Sequence, residues 1–582
     1  MPTHLPLPIA DARAARTFLP ADFELTTWEA LQPYYDALLA DIPDNLAALE
    51  TWLRQRNELD SMVGESQARR YIRMTCDTQN ESHKQAYLYF IQEILPHLSL
   101  YTDKLNQQFV SHPAVGQLDP ALYKTFVRSR QRELELFREA NVPLRTEDAE
   151  LAQQFSACAG AMTIEHEGAT LTMQQAGKLL ESRDRHLRQS VWEKMAARRA
   201  QDRDTLNGIL DQQIKLRHLV ALNAGYTGFT AYKFDELGRF DYTPDDTRSF
   251  HEAVAEVVTP MYERLLEARR QALGVTRLRP WDMSVDVLGE EPLKPFQTGR
   301  ELIDRSVAVL DRLDPRLGVM LYTMDHIGNL DVESRNGKAP GGYNYPLPET
   351  GVPFIFMNAT GTQSDVSTML HEGGHAIHSF VTRGLPLEDL RQTPSEVAEL
   401  ASMSMELMAM DAYDLFYADP KACTRARLQQ VEGCILTLPW IATVDAFQQW
   451  MYDHPDHTHE ARREAWRTCY YRFQGTAVDW TGYEDVLDHL WQKQLHIFEV
   501  PFYYIEYGIA QLGALAIWQN FRQAPRQALS QYLAALELGY TRTIPEIYAT
   551  AGIEFNFSAA YIRRCMEFCL EEYRHLQETV HT

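Results

Sequence analysis

Apolar residues recur at three- and four-residue spacing along most of this 582-residue chain. That period gives a helix one apolar face, whereas the alternating pattern typical of strands is scarce. The spacing predicts helices over the segments 28–53, 86–98, 176–199 and 205–223. We therefore expect a mainly α-helical protein that is long enough to bury an extensive core.

The centre of the chain departs from this helical pattern. The stretch 331–345 is rich in glycine and asparagine, which predicts loop and turn. A short apolar run with proline at its start follows at 353–358 and predicts a strand. The charges of the loop, Arg335 and Lys338, are expected to face solvent.

Two histidines four residues apart indicate where the chemistry lies. Residues 371–375 read His-Glu-Gly-Gly-His. On a helix, positions i and i+4 share one face, so His371 and His375 can point their imidazoles at one metal ion. Glu372 lies at the edge of that face, next to the ion without binding it. The same spacing also suits a pair of core histidines whose hydrogen bonds are satisfied.

A catalytic zinc needs a third protein ligand and one coordination position for water. Glu399 begins a Glu-x-x-Ser sequence that resembles the ligand pattern following His-Glu-x-x-His in gluzincin peptidases. Glu396 is expected to complete a Thr-x-x-Glu capping box with Thr393, and Glu406 to orient a histidine. His378, one turn further along the first helix, is expected to support the site or line a cleft.

These parts together predict hydrolysis of a carbonyl compound. Zinc lowers the pKa of a bound water, and Glu372 can take its proton and pass it to the leaving group. The developing oxyanion needs hydrogen-bond donors, and candidates are His496 and the shared helix face of Tyr504, Tyr507 and Gln511. On sequence alone, a tyrosine stripe more often belongs to core packing with satisfied hydroxyls.

Charge, hydropathy and cysteine content indicate which binding partners and which cellular compartment to expect. A formal net charge of −24, spread along the chain, disfavours nucleic acids and anionic membranes as partners. No stretch approaches the roughly 20 apolar residues that span a bilayer, and residues 1–20 do not resemble a secretory signal. Seven scattered cysteines do not suggest a disulfide framework, so we expect a cytoplasmic protein in which Cys565 and Cys569 are buried thiols rather than metal ligands.

Several further stretches resemble, in the same order, the thimet-oligopeptidase superfamily of zinc peptidases and within it the oligoendopeptidase F branch. The resemblance covers most of the chain and is weaker in residues 1–190. In one departure, Asn344 and Tyr345 follow the Gly-Gly-Tyr sequence, where relatives often carry a cysteine. The matching stretches are 337–343, 353–358, 365–366, 371–378, 394–399, 501–507, 539–546 and 551–553.

The resemblance implies a mainly α-helical metallopeptidase in two halves, which flank a deep substrate channel, with a small β element beside the active site. It implies a helical N-terminal domain over 1–190, forming part of the channel wall, and a catalytic domain over 191–582. One Zn²⁺ per chain would serve an oligoendopeptidase that cleaves internal bonds of short unstructured peptides. The resemblance also places a histidine and tyrosines over the substrate carbonyl, and Tyr503 stays an alternative to Tyr504 because the register is ambiguous by one residue.

Two other functions remain open at this stage. A carboxypeptidase or dipeptidyl-carboxypeptidase on the same scaffold would need a positive group for the terminal carboxylate of the substrate, and the sequence does not single one out. A non-catalytic peptide-binding protein stapled by zinc would use four protein ligands and would not need Glu372. Strand 353–358 would either bind peptide along a free edge or lie buried. No oligomeric state is predicted.

Overall fold

The computed structural model describes Leu7 and residues 16–580. Most of residues 1–20, on which the expectation about a secretory signal depends, lies outside these described residues. Helices dominate the described chain, which confirms the predicted fold class. None of the described helices is both long enough and apolar enough to cross a bilayer.

The first helices pack around a core of their own. The predicted helix 28–53 is in fact two helices, because Pro43 interrupts the chain and the side chain of Asn45 caps the second helix at the Ala48 amide. The segment 86–98 contains a π-helical turn over Phe90–Ile94. The α-helices of this part are α1 (Trp28–Ala40), α2 (Leu46–Cys76), α3 (Glu81–Tyr89), α4 (Leu95–Val110) and α5 (Pro120–Leu136).

The middle of the chain adds a small hairpin and nine further helices among the described residues. The prediction for 205–223 is confirmed by one helix, whereas 176–199 is divided by a turn before Asp184, whose side chain caps the second helix. The hairpin pairs β1 (Thr163–His166) with β2 (Ala169–Thr172). The helices are α6 (Asn141–Gly160), α7 (Met173–Lys178), α8 (Arg185–Gln201), α9 (Arg203–Asn223), α10 (Phe229–Glu236), α11 (Pro244–Ala253), α12 (Thr259–Ala272), α13 (Gly299–Leu313) and α14 (Pro315–His326).

A three-stranded sheet follows, formed by β3 (Leu330–Glu333), β4 (Tyr343–Tyr345) and β5 (Phe354–Ala359). β5 lies in the middle, parallel to β3 and antiparallel to β4. The predicted strand 353–358 is therefore confirmed. Of its two expected roles, the buried strand is confirmed and the free edge is wrong, because both of its edges are paired. The two outer strands, β3 and β4, each keep one unpaired edge.

The loop between β3 and β4 is tied down by a buried charge. Lys338 is buried and donates hydrogen bonds to the Asp331 carboxylate at 2.9 Å and to the carbonyl of Met357. The expectation that Lys338 faces solvent is wrong, because the sheet carbonyls and Asp331 replace its water shell. Arg335 is exposed, as expected, and pairs with the same carboxylate at 2.7 Å.

The remaining helices enclose the largest hydrophobic core. Cys565 and Cys569 are buried free thiols within it, in agreement with the sequence. The helices are α15 (Gln363–Thr382), α16 (Glu388–Arg391), α17 (Ser395–Ala409), α18 (Pro420–Asp453), α19 (His459–Gln474), α20 (Glu484–Asp488), α21 (Leu495–Glu499), α22 (Tyr504–Gln523), α23 (Pro525–Glu537), α24 (Ile544–Thr550) and α25 (Ala559–Val580).

Two hydrophobic cores flank one large cleft. The N-terminal core comprises buried residues between Leu19 and Phe126 together with Leu387 and Leu390, and the second core begins at Leu136. Between them lies a cavity of about 810 Å³ whose walls come from α2, the strand β4 with the glycine-rich loop before it, α15, α17 and α21. This is the expected arrangement of two halves around a channel. The domain boundary at residue 190 stays a prediction.

The start of α17 differs from the predicted capping box. Pro394, not Thr393, is the residue before the helix, and no side chain caps its first amides. Glu396 is instead buried, where it accepts a hydrogen bond from the Tyr242 hydroxyl and lies 3.8 Å from Arg239. The carboxylate that the pattern assigned to capping thus belongs to a buried ionic cluster beneath the cleft.

Helices α15 and α17 approach so closely that only glycine fits between them. A Cβ at Gly374 would lie 2.6 Å from Cα of Ser402 and 2.8 Å from the carbonyl oxygen of Ala401, both backbone atoms that cannot turn aside. A Cβ at the neighbouring Gly373 would meet only a Leu310 methyl at an ordinary 3.8 Å. The second glycine of the His-Glu-Gly-Gly-His sequence therefore sets the distance between the two helices.

We expect Gly374→Ala to destabilise the protein by ~1–3 kcal/mol because it forces α15 and α17 apart. Gly373→Ala is the matched control, since it adds the same methyl one position away and gains up to about 1 kcal/mol of helix propensity. Urea unfolding followed by circular dichroism measures both free energies. Equal stabilities of the two variants would contradict the close approach.

Candidate active site

Three side chains from two helices converge on one point of the cleft floor. His371 and His375 lie one turn apart on α15, and Glu399 comes from the facing α17. Glu399 Oε2 is 3.2 Å from His371 Nε2 and 3.5 Å from His375 Nε2. One ligand atom from each of the three lies within 4.8 Å of the others. Two imidazoles and one carboxylate at this spacing fit the donor set of a zinc-type divalent cation.

A chain of two hydrogen bonds fixes the orientation of His371 on the side of its ring away from the other two donors. His371 shares a hydrogen bond of 2.7 Å between its Nδ1 and Glu406 Oε1, which leaves Nε2 directed at the other two donors. Gln430 of α18 donates to the second oxygen of Glu406 at 2.7 Å. Glu406 thus has the supporting position that the sequence predicts, and ligating histidines generally need such a partner.

Glu399 is held by two hydroxyls. Tyr503 donates to its Oε1 at 2.6 Å and Ser402 donates to its Oε2 at 3.0 Å. Its side chain is 3% exposed, so the carboxylate has little access to bulk water. Ser402 is the serine of the Glu-x-x-Ser sequence, and its role here is to orient the carboxylate.

The electrostatics of the three donors favour a positive charge between them. Burial alone would raise the pKa of the Glu399 carboxyl, but the nearby His375 and His371 hold it well below its usual range. Burial likewise works against a charged His371, yet hydrogen bonds and charge from Glu399 and Glu406 raise its pKa well above the ordinary value. A buried, ionised carboxylate next to two imidazoles is stabilised by a cation bound between them. This electrostatic environment is typical of a metal site.

Glu372 lies beside this cluster without joining it. It is buried, and among the described residues its Oε2 has no hydrogen-bond partner. Burial raises the pKa of its carboxyl. The glycine-rich loop crosses close by, since a Cβ at Gly342 would lie 3.7 Å from Glu372 Oε1. The carboxylate therefore has an unsatisfied oxygen and a small residue opposite it.

His378 is not part of the donor cluster. The cluster in the described chain contains only His371, His375 and Glu399. His378 is buried, and burial lowers its pKa to about 3, which keeps the imidazole neutral. It lines the cleft one turn beyond His375, as the sequence predicts.

A histidine and two tyrosines form the opposite wall. His496 Nε2 lies 3.1 Å from the Tyr507 hydroxyl, and Gln494 Nε2 lies 2.8 Å from His496 Nδ1. Both His496 and Tyr507 line the cleft, as does Tyr503. Burial lowers the pKa of His496 to about 4, so its ring is neutral at physiological pH.

Tyr504 has a different position from its neighbours. It is not among the described residues that line the cleft, and its hydroxyl interacts with Trp440 and Gln494. Its ring packs against His496 with centroids 5.0 Å apart. The structure thus brings His496, Tyr503 and Tyr507 to the cleft and leaves Tyr504 as their support. Gln511 is buried further along α22, where it donates to Cys434 Sγ at 3.5 Å.

The turn before α22 explains why Tyr503 reaches the metal donors. Helix α22 begins at Tyr504, so Tyr503 precedes its first turn. Phe502 has a φ of +66°, a left-handed conformation that costs a non-glycine residue about 1–3 kcal/mol. Its amide donates to Gln448 Oε1 at 2.9 Å, and its carbonyl accepts a hydrogen bond from Arg239. These buried contacts hold the turn that directs Tyr503 towards Glu399.

Sequence reasoning missed three contributions to the site. Gln430 lies on a long helix with no motif around it, and only the fold brings it to Glu406. Asn344 donates to the Glu372 backbone carbonyl at 3.3 Å, and Asn358 fixes the glycine-rich loop through the Gly341 carbonyl at 2.8 Å. Asn358 ends one of the stretches that resemble the family, and Asn344 directly follows another. Their positions could therefore have indicated that they belong to the site.

With this geometry established, comparisons with known proteins decide the family. A sequence profile described as "Peptidase family M3" matches residues 178–567, and one described as "Peptidase M3 N-terminal domain" matches residues 18–137. The first profile alone covers more than half of the chain. The chain belongs to peptidase family M3. It is therefore a metallopeptidase, and its similarity to several oligoendopeptidase F proteins identifies the branch.

Two curated relatives illustrate that similarity. An oligoendopeptidase F homolog of Lactococcus lactis subsp. lactis (strain IL1403) is 20% identical over 70% of this M3 peptidase and 67% of the relative. An oligoendopeptidase F homolog of Mycoplasma genitalium is 22% identical over 69% of this chain and 68% of the relative. Both are distant relatives that match over about two thirds of their length.

Solved structures of similar proteins superpose on nearly the whole of this chain. A structure of PZ peptidase A with an inhibitor superposes with a TM-score of 0.91 at 25% identity, covering 96% of this chain and 99% of the other. Oligoendopeptidase-F from Enterococcus faecium superposes with a TM-score of 0.63 at 18% identity, over 95% and 97% of the two chains. The second likeness shows the shared fold.

We expect Glu406→Ala to weaken divalent-metal affinity by roughly 10–100-fold, because His371 loses the acceptor that orients it. Gln430→Ala should have a smaller effect, since it removes only the second hydrogen bond to that acceptor. Titration with a competing chromophoric chelator measures both affinities, and circular dichroism checks that each variant is folded. Wild-type affinity in Glu406→Ala would contradict the supporting role.

Proposed function

We propose that this M3 peptidase is a zinc-dependent oligoendopeptidase that hydrolyses internal bonds of short, unstructured peptides. The observation that carries the proposal is the convergence of His371, His375 and Glu399 beside a buried Glu372 with an unsatisfied oxygen. Those three side chains would hold the zinc. Three protein ligands leave the coordination position that a catalytic site needs.

A bound zinc supplies Lewis acidity and lowers the pKa of a coordinated water towards neutrality. Glu372 acts as the general base, for which its raised pKa and its place beside the ligands suit it. The same carboxyl then gives the proton to the leaving amine. Gly342 leaves room opposite Glu372 because it carries no side chain.

The oxyanion is stabilised from the opposite wall. His496 and Tyr507 both line the cleft and lie within hydrogen-bond distance of each other, so either can donate to a developing charge nearby. Tyr503 donates to Glu399, which favours an orienting role for it. Tyr504 packs behind His496 and keeps that ring in place.

The substrate is an extended peptide. The unpaired edge of β4 runs along the cleft, where Tyr343 and Tyr345 line it, and a strand edge binds peptide backbone without regard to sequence. A cleft between two helical bodies admits a flexible chain and excludes a folded domain. We further propose that residues 1–190 form a wall domain, that residues 191–582 form the catalytic domain, and that the protein acts in the cytoplasm without nucleic-acid or membrane partners.

We expect Glu372→Gln to lower kcat by a factor of about 10² to 10⁴ while zinc binding is unchanged, because the general base is lost and the ligands remain. Plasma emission spectrometry measures the metal, and an internally quenched peptide measures turnover. Prior dialysis of the wild type against a chelator should abolish activity, and added Zn²⁺ should restore it. Near wild-type turnover by Glu372→Gln would show that Glu372 is not the general base.

Cleavage of a peptide blocked at both ends separates an endopeptidase from a carboxypeptidase or dipeptidyl-carboxypeptidase. We expect an acetylated and amidated internally quenched peptide to be cut at an interior bond, with fragments identified by mass spectrometry. Release only of C-terminal residues, and only from unblocked peptides, would favour the exopeptidase. Binding of peptide without any hydrolysis would favour the non-catalytic alternative.

A further inference from the structure

We propose that a side pocket next to the catalytic cleft binds a carboxylate of the peptide substrate through Arg199 and Lys493, with an apolar residue beside that carboxylate. The proposal rests on the peptidase function above and adds a substrate preference to it. The pocket is a separate cavity of about 180 Å³. An apolar cavity of roughly 150 Å³ accommodates benzene, so this one has room for a large side chain.

The pocket adjoins the catalytic cleft. Pro340 and Leu495 line both cavities, and Leu495 immediately precedes His496. Lys493 stands only three positions before His496, on the segment that leads into α21. A peptide whose scissile carbonyl lies near His496 therefore reaches the pocket with its next few residues, at ~3.4 Å per extended residue.

The pocket walls are mostly apolar, and its charges are of one sign. Arg199, Arg203 and Lys493 all line it, and none of the described lining residues is an aspartate or glutamate. The apolar part of the wall comes from α6 and the residues after it, from α8, from the start of α9 and from the segment after α20. Its larger side chains are Phe155, Met162, Trp192, Leu206 and Leu490. A positive group in an apolar wall suits a ligand that is both anionic and apolar.

Two of these cations lack a carboxylate partner. Arg203 pairs with Asp485 at 2.6 Å, and Arg198, the neighbour of Arg199, pairs with Asp202. Among the described residues, neither Arg199 nor Lys493 forms an ion pair. Lys493 lies over the Trp440 ring at 4.7 Å, a contact that holds the ammonium without neutralising it.

A carboxylate could have paired with these two cations, since the chain has 80 acidic and 56 basic residues, but none of the described residues does so. Burial lowers the pKa of Arg199, whereas the Lys493 side chain is exposed to solvent, and both are positive at neutral pH. Two like charges held together without a counter-ion repel each other, and an arriving carboxylate relieves that repulsion through charge-assisted hydrogen bonds.

The ligand carboxylate has two possible sources in a peptide: the free C-terminus and an acidic side chain. The apolar walls fit a C-terminal residue with a large apolar side chain particularly well, because the side chain and the carboxylate are then one bond apart. An aspartate or glutamate next to an apolar residue presents the same chemistry. The experiment below treats the two sources separately.

One internally quenched peptide should be made as a free acid and as a C-terminal amide, in several lengths. A second, amidated set should carry glutamate or glutamine at each position in turn. For the wild type we expect kcat/KM to be roughly tenfold higher for one carboxylate-bearing peptide than for its neutral isostere, with the difference mostly in KM. The preference should shrink as salt increases, because the pocket is open to solvent.

Lys493→Met and Arg199→Met should each remove most of that preference while the neutral peptides are cleaved within about twofold of the wild-type rate. Lys215→Met is the matched control: Lys215 is exposed on α9 and lines neither cavity, so it removes the same charge far from the pocket. We expect it to keep the full preference.

The outcomes separate the two proposals. Equal cleavage of acidic and neutral peptides by the wild type, or a preference that survives in both pocket variants, overturns the carboxylate pocket and leaves the peptidase intact. If no peptide is cleaved, the proposed function fails, and calorimetric titration of the same peptides still tests the pocket. Tighter binding of the carboxylate peptides by wild type than by Lys493→Met supports it, and equal binding refutes it.

Discussion

The close contact between α15 and α17 is the constraint on which the site depends. Two histidines on one helix cannot complete a metal site alone, and the third donor must come from a helix near enough for Glu399 Oε2 to lie 3.2 Å from His371. The absence of a side chain at Gly374 permits that approach. The glycine therefore serves the metal chemistry through packing, although it touches neither metal nor substrate.

Two of the three donors, His371 and Glu399, are then oriented by partners from other parts of the fold. Glu406 and Gln430 fix His371 from α17 and α18, while Tyr503 fixes Glu399 from the start of α22. Such supporting contacts set the direction of the donor atoms and tune their basicity. The site is thus shared among four helices, and its geometry depends on how the whole second core packs.

The sequence predicted those site residues whose role follows from local spacing or a short motif. The spacing of His371 and His375 is a property of one helix, and Glu399 stood in a recognisable pattern. Prediction failed where the fold, and not the local sequence, supplies a residue's partners. Glu396 fitted a capping box locally but lies in a buried cluster with Arg239, which is far along the chain. Lys338 lies in a glycine-rich loop, but the folded sheet buries it against Asp331 and the Met357 carbonyl. Whether strand 353–358 had a free edge stayed undecided, because an apolar run shows that a strand is buried but not which strands lie beside it.

The left-handed turn at Phe502 has a consequence for how the cleft adapts. Its conformation is held by contacts from Gln448 and Arg239, which are themselves buried, so the wall that carries Tyr503 and Tyr507 resists deformation. Plasticity towards peptides of differing bulk is therefore expected from the facing side, where the aromatic rings of Tyr71 and Tyr345 meet across two separate elements. We therefore expect the wall with Tyr503 and Tyr507 to stay rigid, and the wall with Tyr71 and Tyr345 to adjust to the shape of the substrate.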